Sequence, residues 1–133
     1  MGVTVCGKVW GHTSALFNKN NVEIHRLYAE PGSFCSEHRH ASKWNAFYVE
    51  SGELLVRVWK PGTVDDTHLH PGNYMEVAPG DYHQFIAEDK FGEPSAVVAY
   101  EIYWVSLDAS DIDRRTVGRA SGIHRMPPEP DPA

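Results

Sequence analysis

The stretch Pro31-Gly32-Ser33-Phe34-Cys35-Ser36-Glu37-His38-Arg39-His40 decides how this chain is read. It opens on a turn and ends on two histidines at i and i+2, a spacing that places both imidazoles on one face of an extended backbone. A second stretch, Gly72-Asn73-Tyr74-Met75-Glu76-Val77-Ala78-Pro79-Gly80-Asp81-Tyr82-His83, passes through a Pro-Gly turn and delivers a third histidine at the start of the next apolar run. Neutral imidazole nitrogens suit zinc, iron, nickel or manganese, and three of them leave positions open for water or substrate. That is the ligand count of a catalytic centre and not of a closed structural one. Histidine is also the one oddity of the composition, with 8 in 133 residues.

Working outward from these stretches, turn signals recur at Ser51-Gly52, Pro61-Gly62, Pro71-Gly72 and Gly92-Glu93-Pro94. The runs between them are rich in β-branched and aromatic residues, and seven read as strands: 3–10, 22–29, 45–50, 54–59, 74–77, 83–87 and 96–105. Short strands at even spacing predict an all-β sandwich or barrel. Helical periodicity is absent apart from one short candidate helix over 108–115. Residues 1–125 are expected to form one domain, followed by a disordered Pro-rich tail over 126–133, where no apolar residue is left to bury.

Twelve Lys and Arg against eighteen Asp and Glu give a net charge of −6, the wrong sign for a binder of the nucleic-acid backbone. No apolar run approaches the roughly 20 residues that cross a bilayer, and the amino end has no secretory pattern, so no membrane partner and a cytoplasmic location are expected. Cys6 and Cys35 are too few and too far apart for a disulfide framework or a thiolate zinc site, and read as small buried hydrophobes.

The spacing of Gly32, His38, His40 and Gly52, followed by Gly72, Ala78-Pro79-Gly80 and His83, resembles the paired motifs of the cupin superfamily. Trp10-Gly11, Val22 to Leu27 leading into Pro31-Gly32, Leu69 to Gly72, Asp111-Ile112-Asp113-Arg114 and Gly118-Arg119 resemble the cupin domain of type II mannose-6-phosphate isomerases. This likeness runs over roughly residues 8 to 120. It implies a single-domain jelly-roll barrel with one divalent metal ion (Zn, Mn, Fe or Ni) on His38, His40 and His83. It further implies a small sugar-phosphate substrate and aldose–ketose isomerisation through an enediol, by transfer of a proton between C1 and C2.

One departure matters more than the matches. Where the family pattern continues through a basic residue to a metal-binding glutamate, this chain has Lys43 and then Asn45. The amide oxygen of Asn45 still coordinates, but the loss of a carboxylate weakens the hold on a dication and removes a proton acceptor. Lys43 keeps the positive charge that suits a phosphate. The remaining candidates for the base are Glu101, Glu37 and Lys43, and Arg114, Arg119 and Lys43 compete for the phosphate. Phe47 shares the phase of Asn45, and Phe85 that of His83, so both are candidate substrate-contacting walls. Glu101 shares its phase with Tyr103, and a carboxylate facing inward there is costly unless it is paired or put to use.

The other histidines read as bland. His68 and His70 are placed in a solvated loop, while His12, His25 and His124 are isolated surface or structural side chains. Two further functions compete with the isomerase: a cupin that binds a small molecule without turning it over, and an iron-dependent cupin dioxygenase. The run Leu54 to Trp59 is apolar on both faces, which predicts that one of them packs on a second subunit in a homodimer.

Overall fold

Strand-forming runs and the turns between them give nine strands in the computed structural model, which describes residues 3–106 together with 110, 115, 116, 118 and 120. In chain order they are β1 (Thr4–Lys8), β2 (Gly11–Lys19), β3 (Val22–Ala29), β4 (Trp44–Ser51), β5 (Leu54–Lys60), β6 (Thr63–Leu69), β7 (Tyr74–Val77), β8 (Tyr82–Ile86) and β9 (Val97–Trp104). No helix among the described residues is long and apolar enough to cross a membrane. The expected short helix over 108–115 and the tail over 126–133 lie outside the described residues, except for positions 110 and 115.

All ladders are antiparallel. A six-stranded sheet in the order β1-β2-β3-β9-β4-β7 faces a three-stranded sheet in the order β6-β5-β8, the arrangement of a jelly roll. Inward positions alternate along each strand: Asn45, Phe47 and Val49 on β4, and Val97, Ala99 and Glu101 on β9, are all buried. The apolar ones, Phe47, Val49, Val97 and Ala99, meet Leu54, Val56, Val58 and Phe85 of the smaller sheet in a single core. The sequence therefore predicts the class and the inward phase correctly.

Two strands were not predicted. β2 carries Gly11, His12, Asn18 and Lys19, and β6 carries Asp65 and Asp66, so neither shows the apolar enrichment that marks the others. Both are held by backbone pairing more than by burial. β6 is the exposed edge of its sheet, where charged side chains discourage further pairing, and Arg57 of β5 donates to Asp66 at 2.8 Å. His68 thus lies in β6, opposite Leu55, and not in a loop.

Leu55 itself is only 2% exposed within the single chain, so the outward apolar face that suggested a second subunit is already covered at that residue. Cys35 is buried as expected, but Cys6 is exposed, because β1 is an edge strand with every residue open to solvent.

The Trp10-Gly11 pair has a plain structural role. The Trp10 ring packs edge-on against Phe85 with centroids 5.0 Å apart, closing one end of the barrel beside β8. Gly11 holds φ at +154°, and a Cβ there would overlap the carbonyl oxygen of Tyr28 on the neighbouring strand. No other residue type fits that close approach.

Candidate metal centre

His38 and His40 reach the barrel wall by a route other than a regular strand. The segment from Phe34 to His40 runs beside β8 through isolated bridges, Phe34 with Ile86 and His38 with His83. The His38 amide donates to the His83 carbonyl at 3.1 Å, the His83 amide returns the bond at 2.8 Å, and Gly80 donates to the His40 carbonyl at 2.8 Å. These bonds bring residues far apart in sequence side by side. His38, His40 and His83 converge, with potential ligand nitrogens within 4.8 Å of one another.

Each imidazole has a nitrogen available to an ion. His38 directs Nδ1 at the Ser36 carbonyl, 2.8 Å away, which fixes the proton on that nitrogen and leaves Nε2 free. The Nε2 of His40 is buried and has no hydrogen-bond partner among the described residues, a costly state for a polar atom unless something coordinates it. Burial, reinforced by His38, His83 and Lys43, lowers the pKa of His40 to about 4.

His83 faces two acceptors at once: Nδ1 is 3.0 Å from the Asp81 carbonyl and Nε2 is 3.1 Å from Oδ1 of Asn45. Desolvation lowers the pKa of His83, so the ring is neutral and carries a single N–H. One proton cannot serve both oxygens: with it on Nδ1 towards the Asp81 carbonyl, the lone pair of Nε2 faces the amide oxygen of Asn45. A cation between them satisfies both. The unpartnered nitrogen of His40 and the opposed acceptors of His83 and Asn45 therefore fit a divalent ion, with Asn45, 1% exposed, as a fourth candidate ligand.

A cleft of about 650 Å³ opens beside this centre. Its lining includes His38, Phe85, Lys43 and Glu101 among the residues singled out from sequence. Phe47 lies behind His83, 1% exposed, with ring centroids 6.3 Å apart. Lys43 sits at the rim, 3.9 Å from Glu23, and its ammonium lies 5.5 Å from the centroid of the Tyr103 ring. Arg114 and Arg119 lie outside the described residues.

The question left open for Glu101 is answered by its burial: it points inward, and its one hydrogen-bond partner among the described residues is the hydroxyl of Tyr103. Desolvation raises its pKa, with the Tyr103 hydrogen bond and the fields of His38 and His25 pulling the other way. Burial also raises the pKa of Tyr103, so the phenol stays protonated and donates.

Sequence reasoning missed Glu23 and His25, which also line the cleft. The β3–β9 register sets His25 opposite Glu101 and Glu23 opposite Tyr103, so four ionisable side chains form one block on the inner wall. The period-2 phase of Val22 to Ala29 places both residues on one face, which is the signal that could have found them.

Comparison with known proteins agrees with this architecture. The family model described as "Cupin domain" matches residues 25–98, more than half of the chain, and the protein belongs to that family. No curated protein is similar enough in sequence to match. Among solved structures, KdgF from Halomonas sp. is 15% identical with a TM-score of 0.63, over 81% of this chain and 89% of that one. The capsular polysaccharide assembling protein CapF from Staphylococcus aureus is 14% identical with a TM-score of 0.64, over 83% of this chain and 32% of that one. Vicilin from Corylus avellana (hazelnut) is 16% identical with a TM-score of 0.63, over 77% of this chain and 31% of that one. This chain thus spans about a third of the latter two proteins. At such identities the likeness speaks for the fold alone.

Proposed function

We propose that the protein is a metal-dependent cupin that isomerises a small sugar phosphate between aldose and ketose. The observation that carries this is a three-histidine cluster that meets, through His38, a cleft whose wall holds acid–base side chains. A divalent ion held by His38, His40 and His83, with Asn45 in the next position, would polarise the substrate carbonyl and stabilise the charge of an enediolate. Lys43, at the rim, supplies positive charge for the phosphate. Glu101, whose raised pKa suits a proton donor, is placed to serve a sugar oxygen.

A non-catalytic binder is the second reading, favoured by the neutral Asn45 in place of a carboxylate. The dioxygenase is disfavoured by the charge of the cleft, where Lys8, Glu23, Lys43 and Glu101 leave little purely apolar wall. A homodimer belongs to the same proposal, supported by β1, a fully exposed edge strand with Val5 62% exposed, more than by β5. The test of function is incubation of metal-loaded protein with mannose 6-phosphate and glucose 6-phosphate, followed by NMR. Appearance of the ketose phosphate is expected; tight binding of either sugar phosphate without conversion would favour the binder.

A further inference from the structure

Isomerisation needs a group that takes a proton from carbon, and the candidates named from sequence are poorly placed for it. Glu37 is exposed and is not part of the cleft lining. Lys43 is cationic and lies against Glu23. Glu101 already accepts from Tyr103. On the same wall, however, His25 directs Nε2 at Oε2 of Glu23, 3.3 Å away.

We propose that His25 is the catalytic base of the cleft and that Glu23 is its positioning residue, an inference that rests on the isomerase reading above. The Glu23 carboxylate only accepts, so it holds the imidazole proton on Nε2 and leaves the lone pair on Nδ1. Nδ1 makes no hydrogen bond among the described residues. This is the logic of a base oriented by a carboxylate, in which the acid fixes tautomer and ring direction and stabilises the imidazolium once it forms.

The location fits as well. The Tyr103 ring stands edge-on to His25, with centroids 5.9 Å apart, and also edge-on to His40 at 5.4 Å, so it packs between the proposed base and the metal cluster. The Glu101 carboxyl feels the fields of both His38 and His25. His25 and His38 line the same cleft, so a sugar held at the histidine cluster would share that cleft with His25. The charged and titratable groups that share the cleft with His25 are Glu23 from its own strand, Glu101 and Tyr103 from β9, Lys8 from β1, Cys35 and His38 from the segment beside β8, and Lys43 from the segment before β4.

The step balances without any added reactant. The C–H bond at C2 of the aldose phosphate breaks, and its electron pair becomes the C1–C2 double bond of the enediolate. The proton passes to Nδ1 of His25, giving an imidazolium paired with Glu23. Return of that proton to C1 re-forms a C–H bond, while the proton of the C2 hydroxyl passes to O1, so that C2 becomes the ketose carbonyl and C1 carries the hydroxyl.

The test is deuterium exchange at C2 of mannose 6-phosphate in D₂O, followed by proton NMR on the metal-loaded full chain. In His25→Gln, exchange should fall by about 10² to 10⁴, the usual worth of a positioned base. Sugar-phosphate affinity and metal content, read in parallel, should stay within about threefold, because uniform binding is untouched. Glu23→Gln should lose about tenfold and shift the pH profile of exchange, whereas a merely structural role would leave the profile in place. Added imidazole should restore part of the rate to His25→Gly, which also answers for a Gln variant that folds poorly. Exchange at the parent rate in His25→Gln would overturn the base assignment alone. A parent protein that binds metal and sugar phosphate but exchanges no deuterium would overturn the isomerase reading, and the base with it.

Discussion

Nε2 of His83 and Oδ1 of Asn45 stand 3.1 Å apart in the barrel interior, both residues 1% exposed. If the three histidines hold an ion, the Asn45 oxygen would face it through His83, and only a charge would be missing relative to a carboxylate. Restoring the charge is therefore informative. Asn45→Glu should tighten a divalent ion, since one added charge a few ångströms away is worth on the order of 1 to 4 kcal/mol between water-like and surface-like dielectric. The same variant without metal should be less stable than the parent, because a buried carboxylate then has no cation. Metal titration and thermal melts with and without chelator read both effects, and unchanged metal affinity would mean that position 45 does not face the ion.

Glu101 supplies a pH dependence. Its pKa is raised above 4.5 in the folded chain, chiefly by burial, so the fold retains a proton that the unfolded chain releases. The associated stability is fully present below about pH 4.5 and is lost as pH rises through the folded value. Glu101→Gln keeps an acceptor for the Tyr103 hydroxyl and removes the buried charge. In chelator, its melting temperature at pH 8 should equal or exceed that of the parent, and the gap should close towards pH 4. A variant several degrees less stable at pH 8 would show that the carboxylate is needed in its ionised form.

Much of this was open to a reader of the sequence. His38, His40 and His83 follow turn residues at short local spacings, and local spacing survives folding. That Glu23 and His25 share a face follows from local phase, but their placement against Tyr103 and Glu101 depends on the β3–β9 register between residues 80 and 76 positions apart, and no local pattern reports that. β2 and β6 escaped for a different reason. β6 is an edge strand, and β2, although flanked by β1 and β3, buries no side chain fully, so both rest on backbone pairing more than on apolar enrichment.

Trp10 tests the barrel closure. It is 9% exposed and packs on Phe85, so Trp10→Ala should cost about 3 to 5 kcal/mol, the usual range for emptying a buried aromatic site. Denaturant unfolding measures this directly. A loss below about 1 kcal/mol would mean that the β1–β2 turn does not support the core, since surface substitutions rarely exceed about half a kcal/mol.

β1 bears on assembly. Its free edge and exposed Val5 support pairing with a second chain. Light scattering on the parent should give twice the chain mass of 14.9 kDa, and Val5→Lys should shift it towards one chain. A parent that remains at one chain mass at high concentration would contradict the dimer.

The central claim is that His38, His40 and His83 hold one divalent ion, and elemental analysis of untagged protein after exhaustive buffer exchange tests it most directly. About one transition-metal ion per chain is expected in the parent, and its loss from the double variant His38→Ala, His83→Ala, with the fold retained by circular dichroism. A double variant that kept as much metal as the parent, or a parent that bound none when zinc, manganese, iron(II) and nickel were each supplied, would contradict it.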